Sequence, residues 1–178
     1  MKKFFCKACG KCCSGDGSVF LYPDDIKRMA ERLDLSVQEF ADKYTDHIML
    51  EGIEEGGSYF YMPYLILKKN KGISCVFLKD KVCSIHEFKP IQCSITPFTS
   101  EFFEDEKWRQ EITNFCPALK TMDSGSLSEN KNIADLTDEV EKKYLSELRE
   151  HGFNLETMLD ISLKAPEIIK FEEDEDNE

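Results

Sequence analysis

Long basic stripes, long apolar runs and glycine-rich nucleotide fingerprints are all missing from this sequence of 178 residues. Each absence removes a class of function. Nucleic-acid binding relies on clustered Lys and Arg, and here 35 acidic residues outweigh 23 basic ones for a net charge of -12. The short group Lys68, Lys69 and Lys71 reads as a solvated turn, so no nucleic-acid partner is expected. Six of the acids fall in the terminal run "EEDEDNE", which leaves the rest of the chain only moderately acidic. The longest apolar stretch, "YFYMPYLIL", has nine residues and contains Pro63, too short and too broken for a membrane helix. Only Phe4 and Phe5 separate Lys2 and Lys3 from Cys6, so no secretory leader is read there and a cytoplasmic location is expected. "CGKCCSGDGS" has glycines, but it neither follows a strand nor opens a helix, which excludes a phosphate cradle. No local nucleophile motif accompanies the scattered serines, histidines and acids, so catalysis is left open.

Cysteine, by contrast, is abundant. The chain has eight, four of them within "FFCKACGKCCSG" as Cys6, Cys9, Cys12 and Cys13. Disulfides, a metal site and a redox-active thiol pair are the competing explanations. A reducing cytosol disfavours disulfides, and a chain of this length with 41% apolar residues can build a core without staples. Metal binding is the reading that remains strongest, because soft thiolates suit zinc, iron–sulfur clusters or Cu(I). A bacterial ferredoxin pattern starts in the same way, but Cys13 follows Cys12 directly and no local Cys-Pro completes it.

The adjacent pair leaves the number of centres open. In an extended segment Cys12 and Cys13 face opposite ways, whereas on a helix Cys6, Cys9 and Cys13 fall within about 60° of one another. The other four cysteines, Cys75, Cys83, Cys93 and Cys116, could form a second set or mix with the first. His86 is a spare donor beside them.

Between these cysteines the chain alternates helix and strand signals. Pro23, Asp24 and Asp25 mark a helix start, with Ile26, Met29, Ala30 and Leu33 on its core face. Ser36 and Glu39 form a capping-box pattern opening a second helix through "SVQEFADKYTDHI". "EGIEEGGSY" reads as a turn, and residues 59–69 and 73–78 as strands. Farther on, Thr137 is placed to cap a helix ending at Gly152, and "NLETMLDISLKAP" reads as one more short helix. The expected fold is α+β: a small metal-stabilised domain of short strands and helices over residues 1–120, a helical extension packed on it over 121–170, and an acidic disordered tail over 171–178. That extension and tail offer a surface for a protein partner, and an interaction adaptor is therefore a further reading.

Four blocks, "FFCKACGKCCSG", "YPDDIKRMAERLDLSVQEFADKY", "CVFLKDKVCSIHEFKPIQCSITPF" and "WRQEITNFCP", together resemble the YkgJ-type cysteine-cluster family with its CxxCxxCC motif. Members are described as zinc- or iron-chelating. The resemblance implies Cys6, Cys9, Cys12, Cys13, Cys75, Cys83, Cys93 and Cys116 as metal ligands, with zinc or an iron–sulfur cluster as cofactor. It also implies two alternatives: an iron–sulfur oxidoreductase, or an accessory of a lysine-methylation enzyme whose cofactor site lies on another chain. Two positions depart from the pattern, His86 where tyrosine is common and Lys89 where an arginine precedes proline.

Overall fold

The computed structural model describes residues 4, 6–15, 17–53, 59–122 and 130–170. Its centre is a four-stranded sheet in the order β1-β3-β2-β8. Strands β2 (Thr45–Ile53) and β3 (Tyr59–Leu67) pair antiparallel along their whole length, from Thr45 opposite Leu67 to Ile53 opposite Tyr59. Strand β1 (Phe20–Leu21) extends one edge antiparallel to β3, and β8 (Glu167–Ile169) extends the other parallel to β2.

Helix α1 (Pro23–Arg32) begins at the expected proline and buries Ile26, Met29 and Ala30. Helix α2 (Val37–Tyr44) carries the complete capping box, with Ser36 Oγ accepting from Glu39 N–H and the Glu39 carboxylate accepting from Ser36 N–H at 2.8 Å. Helices α6 (Lys131–Glu150) and α7 (Leu155–Leu159) contribute Tyr144, Leu148, Leu155 and Leu159 to the same apolar cluster as Phe40, Ile48 and Leu65. The Tyr144 hydroxyl donates to the Pro63 carbonyl, pinning α6 to the middle of β3. A smaller core of Phe98, Phe102 and Leu119 forms beside α4 (Ser100–Glu104) and α5 (Glu106–Phe115). No helix among the described residues is long and apolar enough to cross a membrane.

The α+β expectation is met, but several boundaries differ. The second helix does not run through "TDHI": the chain turns extended at Thr45, with φ -125° and ψ 153°, because pairing with β3 overrides the local helical pattern. Glu51–Ile53 of the expected turn are the end of β2, while 54–58 lie outside the described residues. Thr137 is not a cap, since α6 already begins at Lys131. Helix α7 stops at Leu159, where Asp160 adopts a left-handed φ of +54°, and the chain then adds the unanticipated β8. The residues 123–129 and the acidic end, 171–178, lie outside the described residues.

The expected strand over 73–78 is in fact split between two small hairpins. In one, β4 (Lys69–Asn70) pairs with β5 (Ser74–Cys75); in the other, β6 (Leu78–Lys79) pairs with β7 (Val82–Cys83). The second hairpin turns on Asp80 and Lys81, both left-handed at φ +49° and +66°, the conformation that matches the twist of a two-residue hairpin. Next come a 3₁₀ turn over His86–Phe88 and helix α3 (Ile91–Ile95), which carries Cys93.

A latch from α1 fixes this last segment. The Asp25 side chain is 4% exposed and accepts from Arg28 and from Ile91 N–H at 3.0 Å. Arg28 in turn donates to the carbonyls of Phe88 at 2.9 Å and Lys89 at 3.2 Å. Arg28 is itself 41% exposed, so the ion pair alone contributes little. The backbone bonds matter more, because removing the carboxylate leaves the partly buried Ile91 N–H without its acceptor. Asp25→Ala is therefore expected to lower unfolding free energy by about 2–3 kcal/mol, read as a lower urea midpoint at unchanged slope; a shift within experimental error would show that the latch carries no load.

Candidate metal centre

The site begins with the N-terminal loop, whose described residues before β1 form no helix or strand and which is held by contacts at both ends. At its start Phe4 packs edge-on against Phe98 with ring centres 4.9 Å apart. Lys7 Nζ donates to the Pro117 carbonyl at 3.2 Å, which ties the residue between Cys6 and Cys9 to the one after Cys116. Gly10 then docks on the β6–β7 hairpin. Its φ is +73°, and a Cβ there would meet the Lys81 carbonyl oxygen at 2.8 Å and Leu78 Cδ1 at 3.0 Å, so no side chain fits without displacing backbone.

Beyond Gly10 the chain tightens. Cys13 N–H donates to the Gly10 carbonyl at 3.2 Å, Ser14 N–H to Lys11 at 3.0 Å, and Ser14 Oγ also reaches the Gly10 carbonyl at 2.9 Å. Cys75 N–H donates to the Cys13 carbonyl at 2.8 Å. This bond joins two cysteine-bearing segments that are 62 residues apart in the chain (75 minus 13). On the far side, Gln92 of α3 accepts from Phe20 N–H at 2.6 Å and ties the Cys93 helix to the sheet.

All eight cysteines line one cavity of about 220 Å³. All eight are free thiols; Cys6, Cys9 and Cys12 are exposed and the other five partly buried. His86 and Lys89 form part of the wall and also line a second cavity on their other side. His86 Nε2 is buried and has no hydrogen-bond partner, which keeps it available as the spare donor the sequence suggested.

Hydrogen bonds between thiols, burial and then charge set the thiol ionisation. The Cys13 thiol lies beside both Cys12 and Cys83, and its S–H holds each of them down to about 6 from an ordinary 9.0. The same two neighbours push Cys13 itself far up, so the three thiols titrate as one group. Lys89 assists by facing Cys12, Cys83 and Cys93 with its positive charge. Burial pushes Cys75 up and takes Cys93 to about 12.

The donors suit a soft metal: thiols predominate, two are lowered toward the thiolate form, and a cation offsets their charge. Among the described residues, no three His, Cys, Asp or Glu side chains are already arranged to hold an ion. Cys12, Cys13 and Cys83 are neighbours, and gathering them around an ion would order the loop. Such coupling of metal binding to ordering is usual for thiolate sites.

The sequence singled out the eight cysteines as ligands and His86 as a spare one, and the structure places all nine side chains on the wall of this cavity. Sequence reasoning missed the role of Lys89, noted only as a departure from an arginine, and the latch, for which Asp25 and Arg28 at i and i+3 on one helix were the available signal.

Residues 5–117 match a family model named CxxCxxCC and described as "Putative zinc- or iron-chelating domain". Comparison with curated proteins found no match, and comparison with solved structures found none. The matched span takes in 113 of the 178 residues (117 minus 5, plus one) and contains every cysteine of the cavity. This chain therefore belongs to the CxxCxxCC family.

Proposed function

We propose that the chain is a metal-binding protein whose eight cysteines, Cys6, Cys9, Cys12, Cys13, Cys75, Cys83, Cys93 and Cys116, ligate zinc or an iron–sulfur cluster in the shared cavity. The observation that carries this reading is the convergence itself: cysteines scattered over 111 positions, counting from Cys6 to Cys116, line a single cavity. Eight donors exceed the four that one zinc ion takes, which favours a multinuclear or divided centre over one mononuclear site. Thiols kept free for metal call for a reducing compartment, and the cytoplasm is the one we assign. A protein partner that delivers or receives the metal is part of the same proposal.

Anaerobic purification followed by measurement of zinc, iron and acid-labile sulfide tests it. Colourless protein with zinc supports a closed chelating centre. Iron with matching sulfide and a broad visible absorption supports a cluster, and with it an iron–sulfur oxidoreductase. Metal-free protein that also fails to take up either metal under reducing conditions would sink the reading.

The thiol environment adds a pH signature. Because Cys12 and Cys83 are lowered to about 6, the first thiolate absorbance of the metal-free protein is expected near pH 6 instead of near 9.0. Below that pH protons compete with metal at these sulfurs, so affinity falls as pH drops through 6. Cys13→Ala removes the S–H that holds both down, and the first thiolate step is expected to move back toward 9.0; an unmoved ultraviolet titration would refute the assignment.

A further inference from the structure

We infer that Gly10 divides the cavity's cysteines into two ligand sets that take up metal separately: Cys12, Cys13, Cys75, Cys83 and Cys93 inside, and Cys6, Cys9 and Cys116 at the rim. The inference rests on the metal-binding reading above and adds to it the allocation of donors.

The division follows from where each segment is anchored. Gly10 sits buried against the Lys81 carbonyl, and this contact fixes the point at which the loop changes direction. After it, Cys12 and Cys13 belong to a turn whose backbone is bonded to Cys75. Cys75 and Cys83 pack against the main core, and Cys83 pairs across its hairpin with Leu78, the residue that also meets Gly10. Before Gly10 the anchors are different. Phe4 and Cys116 pack on the smaller core, and Lys7 is bonded to the carbonyl of Pro117. Cys75 and Cys83 thus ride on one apolar cluster and Cys116 on another.

Donor number gives the sets different chemistry. Five inner thiols can saturate a tetrahedral ion with one donor to spare. Three rim thiols leave a fourth position free, the arrangement of zinc sites that accept an outside ligand. Cys6 and Cys9 are exposed, as is Cys12 of the inner set, while Cys13, Cys75, Cys83 and Cys93 are partly buried. The rim is thus suited to exchange metal with a small thiol or a partner's cysteine, while the inner set retains it.

Anaerobic titration of the metal-free full-length chain with Zn²⁺ against a colorimetric chelator tests the division, using the paired variant Cys6→Ser with Cys9→Ser, the single variant Cys116→Ser, and Cys12→Ser with Cys83→Ser. The wild type is expected to bind in two phases differing by at least about tenfold in affinity. Both rim variants should lose only the weaker phase, roughly one ion per chain, with an unchanged circular dichroism spectrum. The inner variant should lose the tight phase. With Co²⁺ in place of zinc, added glutathione should change the visible spectrum of the weak phase alone. A single phase in the wild type, or rim variants that weaken both phases by the same factor, would overturn the division while leaving metal binding intact. A wild type that takes up no Zn²⁺ or Co²⁺, and carries no iron, would overturn metal binding and the division with it.

Discussion

Cysteines near the start of the chain can share a cavity with Cys75, Cys83 and Cys93 only if two backbones come very close, and the contact between Gly10 and the Lys81 carbonyl is where they do. A Cβ at 2.8 Å from that oxygen would force the loop or the hairpin to move. The hairpin itself turns through two left-handed residues, Asp80 and Lys81, a conformation that L-residues adopt at some cost. Both features point the same way: local backbone strain is accepted at this corner so that the Cys83 strand and the Cys12–Cys13 turn can lie against one another. The 2.8 Å bond from Cys75 to Cys13 then closes the arrangement from the other side.

Charge is the next constraint on the same corner. Thiolates gathered in one place repel each other, and this protein is already acidic at -12 overall. Two devices relieve the repulsion locally. Cys13 keeps its proton between Cys12 and Cys83, and Lys89 brings a positive charge to the inner wall. Lys89 can do so because the residues on either side of it are held: Arg28 grips the carbonyls of Phe88 and Lys89, and Asp25 grips the amide of Ile91. Burial pushes the Asp25 pKa up, which the bonds from Ile91 and Arg28 oppose. A buried carboxylate on α1 is thereby connected, through one short turn, to the electrostatics of the thiols.

The legible and illegible parts of the sequence separate on physical grounds. Helix α1 and the capping box of α2 were readable because their signals are local: a proline at the first turn, a serine three residues before a glutamate, and an apolar face at helical spacing. The cysteines were readable because thiols have few other uses at that density. Strand β2 was not, since "TDHI" continues a helical pattern and only the partner strand β3 decides against it. The two hairpins were hidden for the same reason, their residues reading as one strand until Cys75 and Cys83 are each given a neighbour. Nor did spacing divide the cysteines. Grouping the first four against the last four follows the chain, whereas the structure sets Cys13 beside Cys83 and ties Lys7, between Cys6 and Cys9, to Pro117 beside Cys116.

Those anchors extend beyond the span that matches the family. Cys75 and Cys83 pack on a core whose other members include Tyr144, Leu148, Leu155 and Leu159, all C-terminal to residue 117. Tyr144 also bonds to the centre of β3, and β8 covers one edge of β2. Cys75 and Cys83 therefore stand on a platform built partly from the C-terminal helices. Cys116 packs instead on the small cluster of Phe98, Phe102 and Leu119, which has far fewer buried residues. An element packed on fewer buried residues opens at lower free energy. On the division proposed above, the Cys116 side of the cavity is the one that opens at lower cost, and a thiol that moves easily is the one better placed to accept or release an ion.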